Sequence, residues 1–157
     1  MAKAKNNLRK CNYSHCKHDS KDIDISSEQF LEEKGKYYHP DCKHEKDIIY
    51  AIKDYWYKNI DKDVIFNQLT KIIERLIYKE GYEADYILYA LKIKAKYLNH
   101  PPGLVYAVKD KKVRNDWEFE QKLKSFKSSN PVISEEEPTF TFKGSEGKKK
   151  FGDIFGG

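Results

Sequence analysis

Apolar residues between Asp41 and Leu98 recur every three or four positions, the spacing of amphipathic helices. The pattern predicts a first helix from about Asp41, a second that starts with Asp61 as its N-cap and ends at Gly81, and a third from about Glu83 to Leu98. The predicted buried faces are Ile48, Ile49, Ile52, Tyr55 and Trp56 for the first helix, Ile65, Leu69, Ile72, Ile73 and Leu76 for the second, and Ala84, Ile87, Leu88, Leu91, Ala95 and Leu98 for the third.

The Pro101-Pro102-Gly103 run predicts a firm break after the third helix, because proline cannot continue a helix. We expect a short helix over Leu104 to Val108, since Pro102 suits a first helical turn. A last helix is predicted over Val113, Trp117, Phe119, Leu123 and Phe126, although these residues follow the helical period less cleanly than those of the earlier helices.

The two ends of the chain lack this periodicity. Residues 1–10 are basic and predict a flexible arm, and residues 128–157 predict a disordered tail, because such a segment cannot bury enough apolar surface to offset its ordering entropy. The tail ends in Phe151, Ile154 and Phe155, which form a candidate docking motif for a protein partner. The predicted fold is therefore mainly α, with a metal-binding module at residues 11–44 and a helical bundle at 45–127.

Three cysteines and one histidine predict a structural zinc site in the first module. Cys11 and Cys16 are separated by four residues, and His39 and Cys42 by two. Two short loops that each present two ligands suit a tetrahedral Cys₃His zinc ion, and this set uses every cysteine of the chain. An odd cysteine count and the absence of an apolar leader favour a reducing compartment, and we expect a cytoplasmic protein.

Three further histidines, His15, His18 and His44, lie near the cysteines and are alternatives to His39. We prefer His39, because it forms the short pair with Cys42 just before a helix. Four protein ligands leave no open position on the metal for water, so the site predicts no hydrolytic activity.

The run Lys36-Tyr37-Tyr38-His39-Pro40-Asp41-Cys42, after a cysteine pair, resembles the aromatic-x-His-x-x-Cys ending of treble-clef fingers such as LIM domains and poly(ADP-ribose) polymerase fingers. The resemblance covers about 32 residues and departs from LIM domains in lacking a second zinc unit. It implies a zinc knuckle, a short hairpin and a helix that begins near Cys42. The residues alone also allow a short helix that starts at Ser26 or Ser27 and ends at Gly35.

Basic residues are concentrated between residues 90 and 127, which favours contact with nucleic acid. The candidate phosphate-binding residues are Lys92, Lys94, Lys96, Lys109, Lys111, Lys112 and Arg114. The segment from Pro101 to Trp117 also loosely resembles the C-terminal helices of DnaD-like and replisome-organiser proteins of phages and Gram-positive bacteria. That resemblance implies a role in DNA replication or recombination.

The leading functional hypothesis is a non-enzymatic, zinc-stabilised accessory protein that contacts nucleic acid. The alternative is a phage-encoded adaptor or inhibitor that grips a host protein through its helical face or its tail, with zinc purely structural. An enzyme is not expected, because the sequence lacks a nucleophile elbow, a phosphate-binding glycine loop and paired acids for two-metal chemistry.

Overall fold

The computed structural model describes residues 7–129, and within them the chain is mainly helical. Two short antiparallel strand pairs come first: β1 (Leu8–Lys10) with β2 (Asp22–Asp24), and β3 (Leu31–Glu33) with β4 (Lys36–Tyr38). Five helices follow: α1 (Pro40–Asn59), α2 (Phe66–Glu74), α3 (Ala84–Lys94), α4 (Gly103–Lys109) and α5 (Lys111–Ser129). The predicted tail is wrong at Ser128 and Ser129, which end α5, and its remainder with the docking motif lies outside the described residues.

The first strand pair corrects the prediction of a flexible arm for Leu8–Lys10, whereas residues 1–6 lie outside the described part of the chain. Leu8–Lys10 form β1, with Arg9 opposite Ile23 in the ladder. Ile23 is fully buried against Tyr38, and it belongs to a small core that also includes Cys11 and Cys42. The N-terminal module therefore starts before Cys11.

A hairpin replaces the short helix predicted between Ser26 and Gly35. Lys34 and Gly35 link β3 to β4, with φ values of 50° and 75°. Positive φ at both central residues is the geometry of the tight hairpin turn whose twist matches that of its strands. Gly35 therefore lies in the turn between two strands and does not end a helix.

Helix α1 belongs to both modules. Pro40 occupies its first turn, where the missing N–H costs nothing, and Asp41 adds a favourable negative charge there. Ile52 and Trp56 are fully buried in the main core, and Ile48, Ile49 and Tyr55 pack against it as predicted. Because one helix carries Cys42 at its start and Trp56 near its end, the predicted boundary between residues 44 and 45 falls inside a continuous helix.

Helix α2 starts later than predicted. Its N-cap is Ile65, and the carboxylate of Asp61 accepts instead from the Asp63 amide in the preceding turn. Ile65 is exposed rather than buried, whereas Leu69, Ile73 and Leu76 lie in the core as predicted. A wider helical turn over Arg75–Lys79 extends α2, and Gly81 ends the segment with a φ of 76°.

The last three helices complete the main core. Helix α3 buries Ile87 and Leu91 as predicted, and it also buries Tyr86, whose hydroxyl donates to the carbonyl of Val108 on α4. The predicted short helix after Pro102 is α4. Helix α5 contacts α3 and α4 in its first half, where Val113 is buried, Trp117 packs against the core and Glu120 accepts a hydrogen bond from Tyr89 on α3.

No helix among residues 7–129 is long and apolar enough to cross a lipid bilayer.

Candidate metal centre

The hairpin and helix α1 position His39 and Cys42. Strand β4 ends at Tyr38, and His39 follows with an extended backbone that turns the chain into α1. Cys42 lies in the first turn of that helix. His39 and Cys42 are therefore fixed by the junction of a strand and a helix, which leaves both side chains buried.

The loop after β1 positions the other two cysteines. The Cys11 amide donates to the carbonyl of Lys21 at 2.6 Å, and the Asn12 amide donates to the carbonyl of Tyr37 at 2.9 Å. The second bond ties this loop to the hairpin that carries His39. A turn closed by the Cys16 amide then brings the Cys16 thiol back beside Cys11.

These elements bring the four predicted ligands together. The ligand atoms of Cys11, Cys16, His39 and Cys42 all lie within 4.8 Å of one another. Nδ1 of His39 is 3.5 Å from Sγ of Cys16 and 3.9 Å from Sγ of Cys42. Three of the four residues are buried, and Cys16 is half-buried. The cluster is compact enough to hold one metal ion.

Without a metal ion, the pKa shifts in the cluster favour its neutral forms. Burial, together with the nearby thiols of Cys16 and Cys11, raises the pKa of the Cys42 thiol well above its ordinary value. Burial, and then the neighbouring His18, lowers the pKa of His39, which favours the neutral imidazole that ligates a metal. A cation bound among these groups lowers the pKa of the thiols, because its positive charge stabilises thiolates.

The three alternative histidines take other partners. His15 stacks on Tyr78 with ring centroids 4.0 Å apart. His44 Nε2 lies 2.8 Å from the carboxylate of Asp85, a contact that joins α1 to α3. His39 is the histidine that lies among all three cysteines within the described residues.

His18 forms a second layer over the site. Its ring stacks on His39 with centroids 3.8 Å apart, and its Nε2 lies 2.9 Å from the carboxylate of Asp41. His18, Asp41 and Cys42 also form a group near enough to share an ion. His18 and Asp41 are exposed, however, and the group shares Cys42 with the buried cluster. We therefore assign His18 to support of the His39 ring.

Sequence reasoning missed the polar contact that fastens the cysteine loop to the bundle. Tyr13, between Cys11 and Cys16, donates to Glu45 on α1 at 2.8 Å, and Tyr78 donates to the same oxygen at 3.0 Å. Lys17 pairs with the other oxygen of Glu45 at 3.0 Å. No local pattern in the sequence predicts these contacts.

The seven predicted phosphate-binding residues divide into two groups. Three of them form ion pairs within the protein: Lys94 with Asp110 at 2.6 Å, Lys109 with Glu80 at 3.0 Å, and Arg114 with Glu118 at 2.9 Å. The other four are exposed and form no ion pair within residues 7–129: Lys92, Lys96, Lys111 and Lys112. The Lys94–Asp110 pair joins α3 to the residue that precedes α5, and in sequence each of these four lysines is within two residues of Lys94 or Asp110.

No protein-family model, curated protein or solved structure significantly matches this chain. The similarities to treble-clef fingers and to DnaD-like proteins are therefore expectations from sequence motifs alone.

Proposed function

We propose that the protein is a non-enzymatic accessory factor that a structural zinc ion stabilises and that contacts nucleic acid through the lysines around the α3–α5 junction. The observation that carries this proposal is a set of four exposed lysines without ion pairs in the described chain, each within two residues in sequence of Lys94 or Asp110, which form a bridge. The zinc part rests on the buried Cys₃His cluster.

The cluster distances agree with tetrahedral zinc. Zinc–sulfur bonds of about 2.3 Å and a zinc–nitrogen bond of about 2.0–2.1 Å separate a sulfur from a nitrogen by about 3.6 Å in an ideal tetrahedron. The two distances from His39 Nδ1 to sulfur are 3.5 and 3.9 Å. Three thiolates and one imidazole are a common structural zinc set, and they leave no open position for substrate. A zinc ion here joins the cysteine loop, the hairpin and α1.

The lysines suit a polyanion. Lys92 and Lys96 flank Lys94 at the end of α3, and Lys111 and Lys112 follow Asp110 at the start of α5. None of these four lysines forms an ion pair with a carboxylate of the described chain, so all four ammonium groups are available to phosphates. Such contacts release counterions, so they give salt-dependent affinity without base specificity.

A salt titration of binding tests this proposal. Fluorescently labelled duplex and single-stranded DNA and RNA would be titrated with the protein between about 50 and 200 mM salt. A variant with Lys92, Lys96, Lys111 and Lys112 changed to Gln should bind more weakly, and its log–log salt slope should fall by about 0.9 for each lost phosphate contact on duplex DNA.

A matched control carries the same charge change elsewhere. Four other exposed lysines without ion pairs are suitable for it: Lys36, Lys62, Lys71 and Lys79. If their change to Gln weakens binding as much as the junction variant does, net charge rather than this surface is responsible. Absence of binding to any probe at the lower salt overturns the proposed function.

A further inference from the structure

The second half of α5 projects from the bundle. From Glu118 to Ser129 every residue except Gln121 is exposed, a length of about 18 Å at 1.5 Å per residue. Phe119, Leu123 and Phe126 expose 62%, 45% and 68% of their surface. Their spacing of four and three residues aligns them along one side of the helix. This apolar stripe is unpartnered within the described chain.

Charge is segregated along the same helix. The charged side chains are acidic over residues 116–120 and basic over residues 122–127. The acidic residues are Asp116, Glu118 and Glu120, and the basic residues are Lys122, Lys124 and Lys127. A second copy of α5 in the opposite direction would face each part with its complement, whereas a parallel copy would oppose like charges.

We propose that α5 pairs with α5 of a second copy of this chain in an antiparallel homodimer, through the stripe of Phe119, Leu123 and Phe126. An isologous contact of this kind closes on itself and covers both apolar stripes at once. This proposal identifies the partner of the helical face, and it does not depend on nucleic-acid binding.

One register satisfies charge and packing together. Asp116 and Lys127 are eleven residues apart, about three turns, so they flank the stripe on the same side of α5. If Asp116 lies opposite Lys127 of the second copy, the two-fold axis of the helix pair passes between Gln121 and Lys122. Phe119, Leu123 and Phe126 of one copy then lie at levels that alternate with those of the other. Neither Asp116 nor Lys127 makes an ion pair within residues 7–129.

The contact is small, so the dimer is a concentration-dependent one. About ten residues of each helix take part, which places the buried area at the low end of specific interfaces. We expect dissociation in the micromolar range, within reach of sedimentation equilibrium on the full chain.

The apolar stripe is tested with a matched pair of variants. Leu123→Glu should abolish the dimer while the far-ultraviolet circular dichroism stays unchanged, as should the thermal midpoint at concentrations where the wild type is monomeric, because Leu123 is outside the core. Ile93→Glu places the same charge on an exposed aliphatic residue of α3 and should leave the dimer intact. A wild-type chain that stays monomeric up to about 300 µM, or a dimer that Leu123→Glu leaves unchanged, overturns the proposal.

Direction is tested by a charge exchange. The double variant Asp116→Lys/Lys127→Asp restores opposite charges in an antiparallel pair, so it should self-associate as the wild type does. A mixture should not form heterodimers, because each copy would then face its like charge. The single variant Asp116→Lys should weaken self-association several-fold. Preferential heterodimer formation in the mixture indicates a parallel pair and overturns the antiparallel arrangement.

Discussion

Tyr78 donates a hydrogen bond to Glu45 across 3.0 Å, and through it the helical bundle holds the metal-binding loop. The same carboxylate oxygen accepts from Tyr13, which lies between the first two cysteines. Burial and the nearby Glu45 carboxylate raise the pKa of Tyr78 to about 12, against the opposite effect of the Tyr13 hydroxyl. Tyr78 therefore stays a neutral donor across the ordinary pH range. The contact makes the stability of the two modules interdependent.

Replacement of Tyr78 by Phe should lower the free energy of unfolding by about 1–2 kcal/mol. The change removes a hydrogen bond to a charged group and leaves that half-buried carboxylate with one partner fewer. Denaturant unfolding of the metal-loaded chain measures the effect. Tyr106→Phe is the control, because Tyr106 is 77% exposed. Equal stabilities of the two variants would contradict a stabilising role for the contact.

The helices could be predicted from the sequence because apolar residues recur every three or four positions along the buried face of each helix. The spacing of Ile52, Trp56, Leu69 and Ile87 alone predicts that they are buried, and all four lie in the core. The four ligands could be proposed for a different reason, since short paired spacings of Cys and His have few structural uses. Contacts such as Tyr13 to Glu45, 32 residues apart in sequence, leave no periodic signal.

Helix α5 shows where periodicity stops being informative. The prediction of a last helix through Phe119, Leu123 and Phe126 is confirmed, and the structure shows that all three side chains are exposed. Spacing reports that a face is apolar but not which element covers it. Only the three-dimensional arrangement shows that the bundle ends near Trp117.

Replacement of Gly35 by Ala should lower the free energy of unfolding by about 1–2 kcal/mol, because a side chain is strained at a φ of 75°. Nothing lies within 4 Å of the added methyl group, so the cost comes from the backbone alone. Lys34→Asn should act in the opposite direction by a few tenths of a kcal/mol, since Asn tolerates positive φ better than Lys. Both changes are read by thermal or denaturant unfolding. A neutral Gly35→Ala variant would contradict the hairpin turn.

Asp110→Asn should make stability less sensitive to acid. The hydrogen bond from Lys94, followed by that from the Lys112 amide, lowers the pKa of Asp110 below its ordinary value. A carboxyl group with a lowered pKa in the folded state stabilises the fold above its unfolded pKa of about 3.9, and this contribution is lost as the pH falls through the folded value. The stability difference between wild type and variant should therefore shrink as the pH is lowered from about 5 to 2.

A double-mutant cycle tests whether Lys94 causes the lowered pKa of Asp110. In a Lys94→Gln background the same Asp110→Asn change should have a smaller pH-dependent effect, because the main cause of the pKa shift is then missing. Any influence of acid on the metal site is common to all four proteins and cancels in the differences. An unchanged pH-dependent effect in that background would show that Lys94 is not responsible.

Single replacements should distinguish the four metal ligands of the buried cluster from the histidines around it. Cys11→Ser, Cys16→Ser, His39→Ala and Cys42→Ser should each lower zinc affinity by more than about 100-fold, because losses of second-layer groups alone reach that size. His15→Ala and His44→Ala are matched controls that should keep one zinc per chain. Elemental analysis and competition with a chromogenic chelator measure both quantities.

The pH dependence of zinc affinity gives an independent check on the ligand set. Each cysteine that is protonated in the metal-free chain releases a proton when it binds zinc, so the logarithm of the affinity should rise by up to about three for each pH unit. Cys42 contributes to this slope because burial and the neighbouring thiols raise its pKa. Cys42→Ser should reduce the slope by about one, whereas His44→Ala should leave it unchanged. A wild-type slope below about two would contradict coordination by three thiolates.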